Sequence, residues 1–240
     1  MPSGKINSEV LTRLRSEVLA ANLELDAHGL VLYTFGNASG IDRESGMVAI
    51  KPSGVPYAEL RAEDLPVFTL DGKLVDGKLK PSSDLETHLH LYREFAGIGG
   101  VAHTHSEYAT AWAQAGRAIP AYGTTHADYF HGPVPVTAPL SDAEIGGEYV
   151  LNTGIAITRV FANGAIDPLA VPAALVAGHA PFVWGRTPHE AAHNAVILEA
   201  VARMAYFTEA LDASCEPVSQ ALLDRHHFRK HGATKSYGQG

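Results

Sequence analysis

Two histidines stand two residues apart in "GGVAHTHSEYAT", residues 99–110, after an apolar run and just ahead of a helix start. Alternate side chains of a strand point the same way, so His103 and His105 can converge on one point. Converging imidazoles suit a divalent metal, and nitrogen donors favour zinc or a similar first-row ion over magnesium or calcium. An isolated H-x-H has a second reading, in which one ring packs and the other is solvated; further ligands elsewhere decide between them. His179 repeats the setting, after an apolar strand and just before Pro181. A third imidazole would leave positions open for a substrate, although His179 alone also reads as a buried, hydrogen-bonded side chain. Asp84 in "KPSSD" adds an oxygen donor at a helix start, where aspartate commonly serves as a backbone cap.

Three loops carry small polar residues: Gly36-Asn37, Ser53-Gly54 after Lys51, and Ser82-Ser83. Free backbone N–H groups, hydroxyls and one lysine can cradle a phosphate without a Walker motif, and ordinary turns have the same composition. In "GTTHADYF", residues 123–130, Asp128 stands near His126 and Tyr129. It reads as an acid/base group or as a turn residue. The segment 225–240 is locally basic and contains Tyr237; it reads as functional or as a frayed end.

The elements that must position these groups follow from periodicity. Asn7 or Ser8 caps a helix with the stripe Leu11, Leu14, Val18, Leu19 and Leu25, stopped at Gly29. "MVAIKPSG" reads as a strand into a turn, and 67–79 as a hairpin turning at Asp71-Gly72. Helices are expected over 83–95 and from Ser106 to Gly116, with strand and loop over 119–137 and a helix start at 141–161. Residues 173–185 read as two strands joined at a bend carrying His179, followed by a long helix over 187–211 with Thr187 as cap and Pro188 at its first position. No internal repeat appears.

The chain has 240 residues, 46% hydrophobic and 18% charged, with a net charge of −8. That balance disfavours a nucleic-acid binder, which needs a basic face. The single Cys215 excludes an intrachain disulfide and fits a reducing compartment. No secretory signal is seen, and the most apolar stretch, 168–184, is broken by prolines and His179 and is too short to span a bilayer. The expectation is a soluble cytoplasmic protein, one α/β domain over 1–240 with a mixed, largely antiparallel sheet.

Taken in order, "GNAS", "KPSG", "KPSSD", "HTH", "GTTHADYF", "GHAPFVWG" and "RKHGATKSYGQ" resemble the class II aldolase/adducin family, from about residue 8 to the C-terminus. "HTH" and "KPSG" are shared across that family; "GTTHADYF" and the "HGATKSYGQ" tail resemble its pentulose-phosphate 4-epimerase branch. The resemblance implies a three-layer α/β/α sandwich and a divalent metal, usually zinc (manganese or cobalt being alternatives), on His103, His105, His179 and Asp84. It implies phosphate binding by Gly36, Asn37, Lys51, Ser53, Gly54, Ser82 and Ser83 with help from Arg229. Asp128 and Tyr237 match the acid/base positions. The implied assembly is a cyclic homotetramer with sites at subunit interfaces. The implied reaction interconverts L-ribulose 5-phosphate and D-xylulose 5-phosphate by breaking and re-forming C3–C4. Aldolases of the family carry Glu where Asp84 stands, and the family also contains non-catalytic adducin-like modules. Some relatives carry an acidic residue in place of Val150, which bears on the hydrogen bonding around Asp128.

Overall fold

The computed structural model describes residues 8–232; Tyr237 lies outside them. Helix α1 (Ser8–Ala27) buries Leu11, Leu14, Val18 and Leu25 along one stripe. The seven strands are β1 (Asn37–Asp42), β2 (Met47–Ile50), β3 (Val67–Thr69), β4 (Leu74–Asp76), β5 (Gly100–His103), β6 (Ala173–Leu175) and β7 (Pro181–Gly185). The remaining helices are α2 (Leu85–Glu94), α3 (Glu107–Gln114), α4 (Thr124–Ala127), α5 (Asp142–Gly146), α6 (Tyr149–Gly164), α7 (Pro188–Leu211) and α8 (Gln220–His231).

The strands form one sheet in the order β4-β3-β2-β1-β5-β7-β6. Every pairing between them is antiparallel. Among the described residues, the mixed character expected of the sheet reduces to one isolated parallel bridge, Val136 to Leu175.

Two neighbouring residues of the central strand β1 explain the layering. Ser39 points to one face and meets His88 and Tyr92 of α2. Gly40 points to the other, where an added Cβ would lie 2.5 Å from Pro188 of α7 and 2.8 Å from Val18 of α1. So α1 and α7 lie close against one face and α2 covers the other. Helix α6 packs on α2, and its Phe161 ring meets Phe95 and Trp184 at 5.4 and 5.2 Å between centroids. The glycine pair before β5 has a steric cause. A Cβ at Gly99 would fall 2.1 Å from the Arg186 carbonyl oxygen, and one at Gly100 would fall 2.4 Å from that of Thr187. Only glycine lets β5 pass so close to the turn that starts α7.

Two local expectations change, and one helix start is met. Within 119–137 the chain forms the short helix α4 and a bridge from Ile119 to Val134, in place of a strand and loop. Over 141–161 the expected helix start is met by the reciprocal cap of Ser141 and Glu144, and Gly147, outside helical backbone space, separates α5 from α6. The basic tail is helical as far as His231, so the frayed-end reading does not hold for that part.

Candidate functional site

His103 ends β5, opposite Asn37 of β1 on one side and Phe182 of β7 on the other. Its ring stacks on Phe182 with centroids 4.2 Å apart. Its Nδ1 lies 2.9 Å from the Pro181 carbonyl oxygen. A carbonyl only accepts, so that nitrogen carries the proton and Nε2 presents a lone pair. His105 follows just beyond the strand, its Nε2 3.2 Å from that of His103. His179 sits in the turn between β6 and β7, which Gly178 makes possible at φ +71°. One ring nitrogen from each of the three histidines lies within 4.8 Å of the others.

The donor set fits a divalent metal. Burial pushes His103 down to about 4 and lowers His105 and His179 as well, so all three imidazoles are neutral at pH 7 and offer lone pairs. Tetrahedral bonds of roughly 2.0–2.1 Å place ligand nitrogens about 3.3 Å apart, close to the His103–His105 separation. Nδ1 of His179 is buried without a hydrogen-bond partner, an arrangement that a cation could relieve.

Asp84 precedes α2 but makes no side-chain cap. Its Oδ2 accepts from Asn37 Nδ2 at 2.7 Å and from Ser82 Oγ at 3.2 Å. Burial works to raise Asp84, and the His103 and His88 imidazoles with the Asn37 amide outweigh it, holding the carboxyl below its ordinary range. Asp84 is not in the group of donors within 4.8 Å of one another; it borders that group from α2.

Lys51 is 1% exposed. Its Nζ donates to the Val55 carbonyl at 2.9 Å and lies 4.7 Å from the centre of the Tyr57 ring. Burial lowers it to about 8, which still leaves it mostly cationic at pH 7. The two neighbouring loops are tied together, Ser82 N donating to Lys51 O at 2.9 Å and Ser53 N to Lys80 O at 3.0 Å.

A cavity of about 440 Å³ collects these groups. Gly36, Asn37, Lys51, Ser53, Gly54, Ser82, Ser83, Asp84, His103, His105 and His179 all line it. The sequence reading missed Phe35 and Tyr149, which also line it; an aromatic before a turn or at a helix start carries no distinctive signal. Val150 lines it too, and its carbonyl accepts from Thr87 Oγ1 at 2.6 Å. Within the chain, the partners of the Asp128 carboxylate come from α8. Asp128 Oδ1 accepts from His226 Nδ1 at 3.0 Å, and Oδ2 from Arg229 Nη2 at 3.1 Å. Burial would raise Asp128, but Arg229 and His226 hold it lower than usual. Neither Asp128 nor Arg229 is among the residues lining the cavity.

Residues 16–206 match the family described as Class II Aldolase and Adducin N-terminal domain. The chain is 50% identical over 229 residues to the L-ribulose-5-phosphate 4-epimerase UlaF of Salmonella paratyphi B (strain ATCC BAA-1250 / SPB7), covering 95% of this chain and 100% of that protein. The UlaF protein of Salmonella typhi has the same identity and coverage. Among solved structures, an L-fuculose 1-phosphate aldolase shares the fold at a TM-score of 0.76 and 23% identity, over 94% of this chain and 97% of its own. The L-fuculose-1-phosphate aldolase of Thermus thermophilus is 27% identical with a TM-score of 0.63, over 85% of this chain and 99% of its own.

Proposed function

The chain belongs to the class II aldolase and adducin family, and from that premise we propose that it is a 4-epimerase interconverting L-ribulose 5-phosphate and D-xylulose 5-phosphate. The observation that carries this reading is the convergence of three neutral imidazoles, a carboxylate, a lysine and small hydroxyl loops on one cavity, in a chain half identical to named epimerases.

The C4 hydrogen of a 2-ketose is not next to the carbonyl, so direct deprotonation at C4 is poor chemistry. Breaking C3–C4 avoids it. A base takes the C4 hydroxyl proton, C4 becomes an aldehyde carbon, and the bonding electrons pass to C3 as an enediolate. The aldehyde turns, C3 attacks its other face, and a second group protonates the new C4 oxygen. A divalent ion bound by His103, His105 and His179, with Asp84 beside them, would supply Lewis-acid stabilisation of the developing charge; we take it to be zinc, with manganese or cobalt able to substitute. Lys51 and the loops at Gly36-Asn37, Ser53-Gly54 and Ser82-Ser83 hold the phosphate while the aldehyde turns. Without that hold the reaction ends as cleavage. Asp128 and Tyr237 act as the two proton-transfer groups, one for each orientation of the C4 oxygen. Since Asp128 does not line the cavity of its own chain, it would be delivered by a neighbouring copy in a homotetramer, with Arg229 beside it at the phosphate. The assembly is a cytoplasmic one of single-domain subunits. Among the described residues, no helix is long and apolar enough to cross a membrane.

The test is to supply L-ribulose 5-phosphate to zinc-loaded protein and follow the products. D-xylulose 5-phosphate is the expected outcome. Accumulation of dihydroxyacetone and glycolaldehyde phosphate in its place would make the protein an aldolase, and purified protein that takes up no metal would point to a binding module.

A further inference from the structure

A polar seam crosses the otherwise apolar layer between β1 and α2. On the strand, Asn37 and Ser39 share a face; on the helix side, Asp84, His88 and Tyr92 follow one another at single-turn spacing. Asn37 holds Asp84. Ser39 Oγ meets His88 Nδ1 at 2.7 Å and Tyr92 Oη at 2.8 Å. Ser39, His88 and Tyr92 are all 0% exposed.

The seam has a direction. Among the described residues, Ser39 is the one side chain hydrogen-bonded to the Tyr92 hydroxyl, and the Val101 backbone bonds it in the sense that favours the phenolate, as an N–H donor does. If His88 carried its proton on Nδ1 and donated to Ser39, one hydroxyl proton of the trio would be left over, that of Tyr92 if Ser39 donates to Tyr92, or that of Ser39 if Ser39 accepts from both. In the reverse order Tyr92 donates to Ser39, Ser39 donates to His88 Nδ1, and every hydroxyl proton is used. His88 then carries its proton on Nε2. That nitrogen is buried and without a protein partner, and so is Asn37 Oδ1. One is a donor and the other an acceptor, and Asn37 already grips Asp84. Each of these two buried atoms lacks a partner in the protein, a need that an ordered water meets.

Resting on the metal-dependent reading above, we propose that His88 is a positioning residue for Asp84: through a buried water shared with Asn37 Oδ1, its Nε2–H fixes the carboxylate beside the three imidazoles. His88 touches neither substrate nor metal in this scheme. It sets the orientation of the group that does, as the outer partners of metal ligands do elsewhere.

The first measurement is the imidazole ¹⁵N spectrum of zinc-loaded protein at neutral pH. His88 should be neutral with its proton on Nε2, and a proton on Nδ1 overturns the proposal. The second uses cobalt in place of zinc. His88→Leu should alter the visible cobalt bands and weaken cobalt binding about 10–100-fold, and His88→Gln, whose amide nitrogen reaches the Nε2 position, should recover most of both. Unchanged bands and affinity in a folded His88→Leu protein overturn the proposal, whatever happens to its thermal stability. If His88→Leu does not fold, Tyr92→Phe serves instead. It removes the donor that sets the direction of the seam, so part of His88 should move its proton to Nδ1 and the cobalt bands should shift; no change in either spectrum is again fatal. Wild-type protein that binds cobalt without epimerising would sink the epimerase reading alone. Wild-type protein that binds no cobalt sinks both.

Discussion

His103 is fixed on two sides, by the Phe182 ring beneath it and by the Pro181 carbonyl on Nδ1, so its lone pair has one direction to face. Replacing it should therefore cost more than one donor's share. His103→Asn is expected to lower bound metal and turnover together, by at least about tenfold each; metal analysis beside a turnover assay reads this, and full metal content with normal turnover would remove His103 from the site. Lys51 gives a pH signature. Its folded pKa of about 8 lies below the ordinary lysine value of 10.5, so its charge, and its pull on a phosphate, are present below pH 8 and lost above it. The unfolded chain keeps the proton longer, so this group costs stability below pH 8, and the cost is relieved as pH rises toward 10.5. Apparent affinity for a phosphorylated ketose should fall as pH passes through 8. Lys51→Met should abolish that dependence and weaken phosphorylated substrate by about 1–3 kcal/mol while sparing the unphosphorylated sugar; equal losses for both would end the assignment. These residues were legible in the sequence because their signals are local: a two-residue spacing, a proline turn, a lysine before Pro-Ser-Gly. Phe35 and Tyr149 were not, since their place in the cavity is decided by how the loop before β1 and the start of α6 meet across the sheet end.

The elements deliver those groups through a few polar fastenings. Arg43, just past β1, donates to the carbonyls of Tyr92, Phe95 and Ile98 at 2.7–2.9 Å, taking up acceptors that the end of α2 leaves open. At the other side of β5, Glu199 of α7 accepts from the backbone N–H groups of Tyr108 and Ala109 and so anchors the first turn of α3, two residues after His105. Arg43→Ala should destabilise the fold by about 1–3 kcal/mol through lost charge-assisted hydrogen bonds, with a lower midpoint in a urea titration; an unchanged midpoint would show that water replaces the arginine at no cost. The strand pair carrying His179 and the capped start of α7 were readable from apolar runs, glycine and the Thr-Pro pair. The division of 141–161 was not. Ser141 signals a start and the Gly146-Gly147 pair marks a weak point, but whether the helix continues, bends or stops there depends on Gly147 leaving helical backbone space, which composition alone does not decide.

At the scale of the whole molecule, Asp128, one of the two proposed acid/base groups, stands apart from the metal group of its own chain. Asp128 is bound to α8, and the cavity is lined by other elements. The proposed tetramer reconciles them, and Met204, Tyr206, Phe207 and Leu211 near the end of α7, at 52, 54, 45 and 89% exposure, give apolar surface for copies to meet. Subunit mixing tests this. His103→Asn and Asp128→Asn proteins, each nearly inactive, should regain a substantial fraction of wild-type turnover when unfolded together and reassembled, because some interfaces then pair an intact metal group with an intact Asp128. No recovery in mixed assemblies would place both residues in one subunit's site. The residues themselves do not show which copy presents which group; the family resemblance alone implied sites shared between subunits.

Asn37, His103 and Phe182 form one row across three adjacent strands. A strand that slips by a single residue turns all its side chains over, so a misregistered β5 would bury the wrong neighbour and carry its imidazole to the far face. The ion's cup therefore exists only in molecules whose central strands have zipped correctly. In refolding with cobalt present, colour should develop together with native pairing and lag behind the early gain of helix, making the bound ion a clock for the moment at which the sheet finds its alignment.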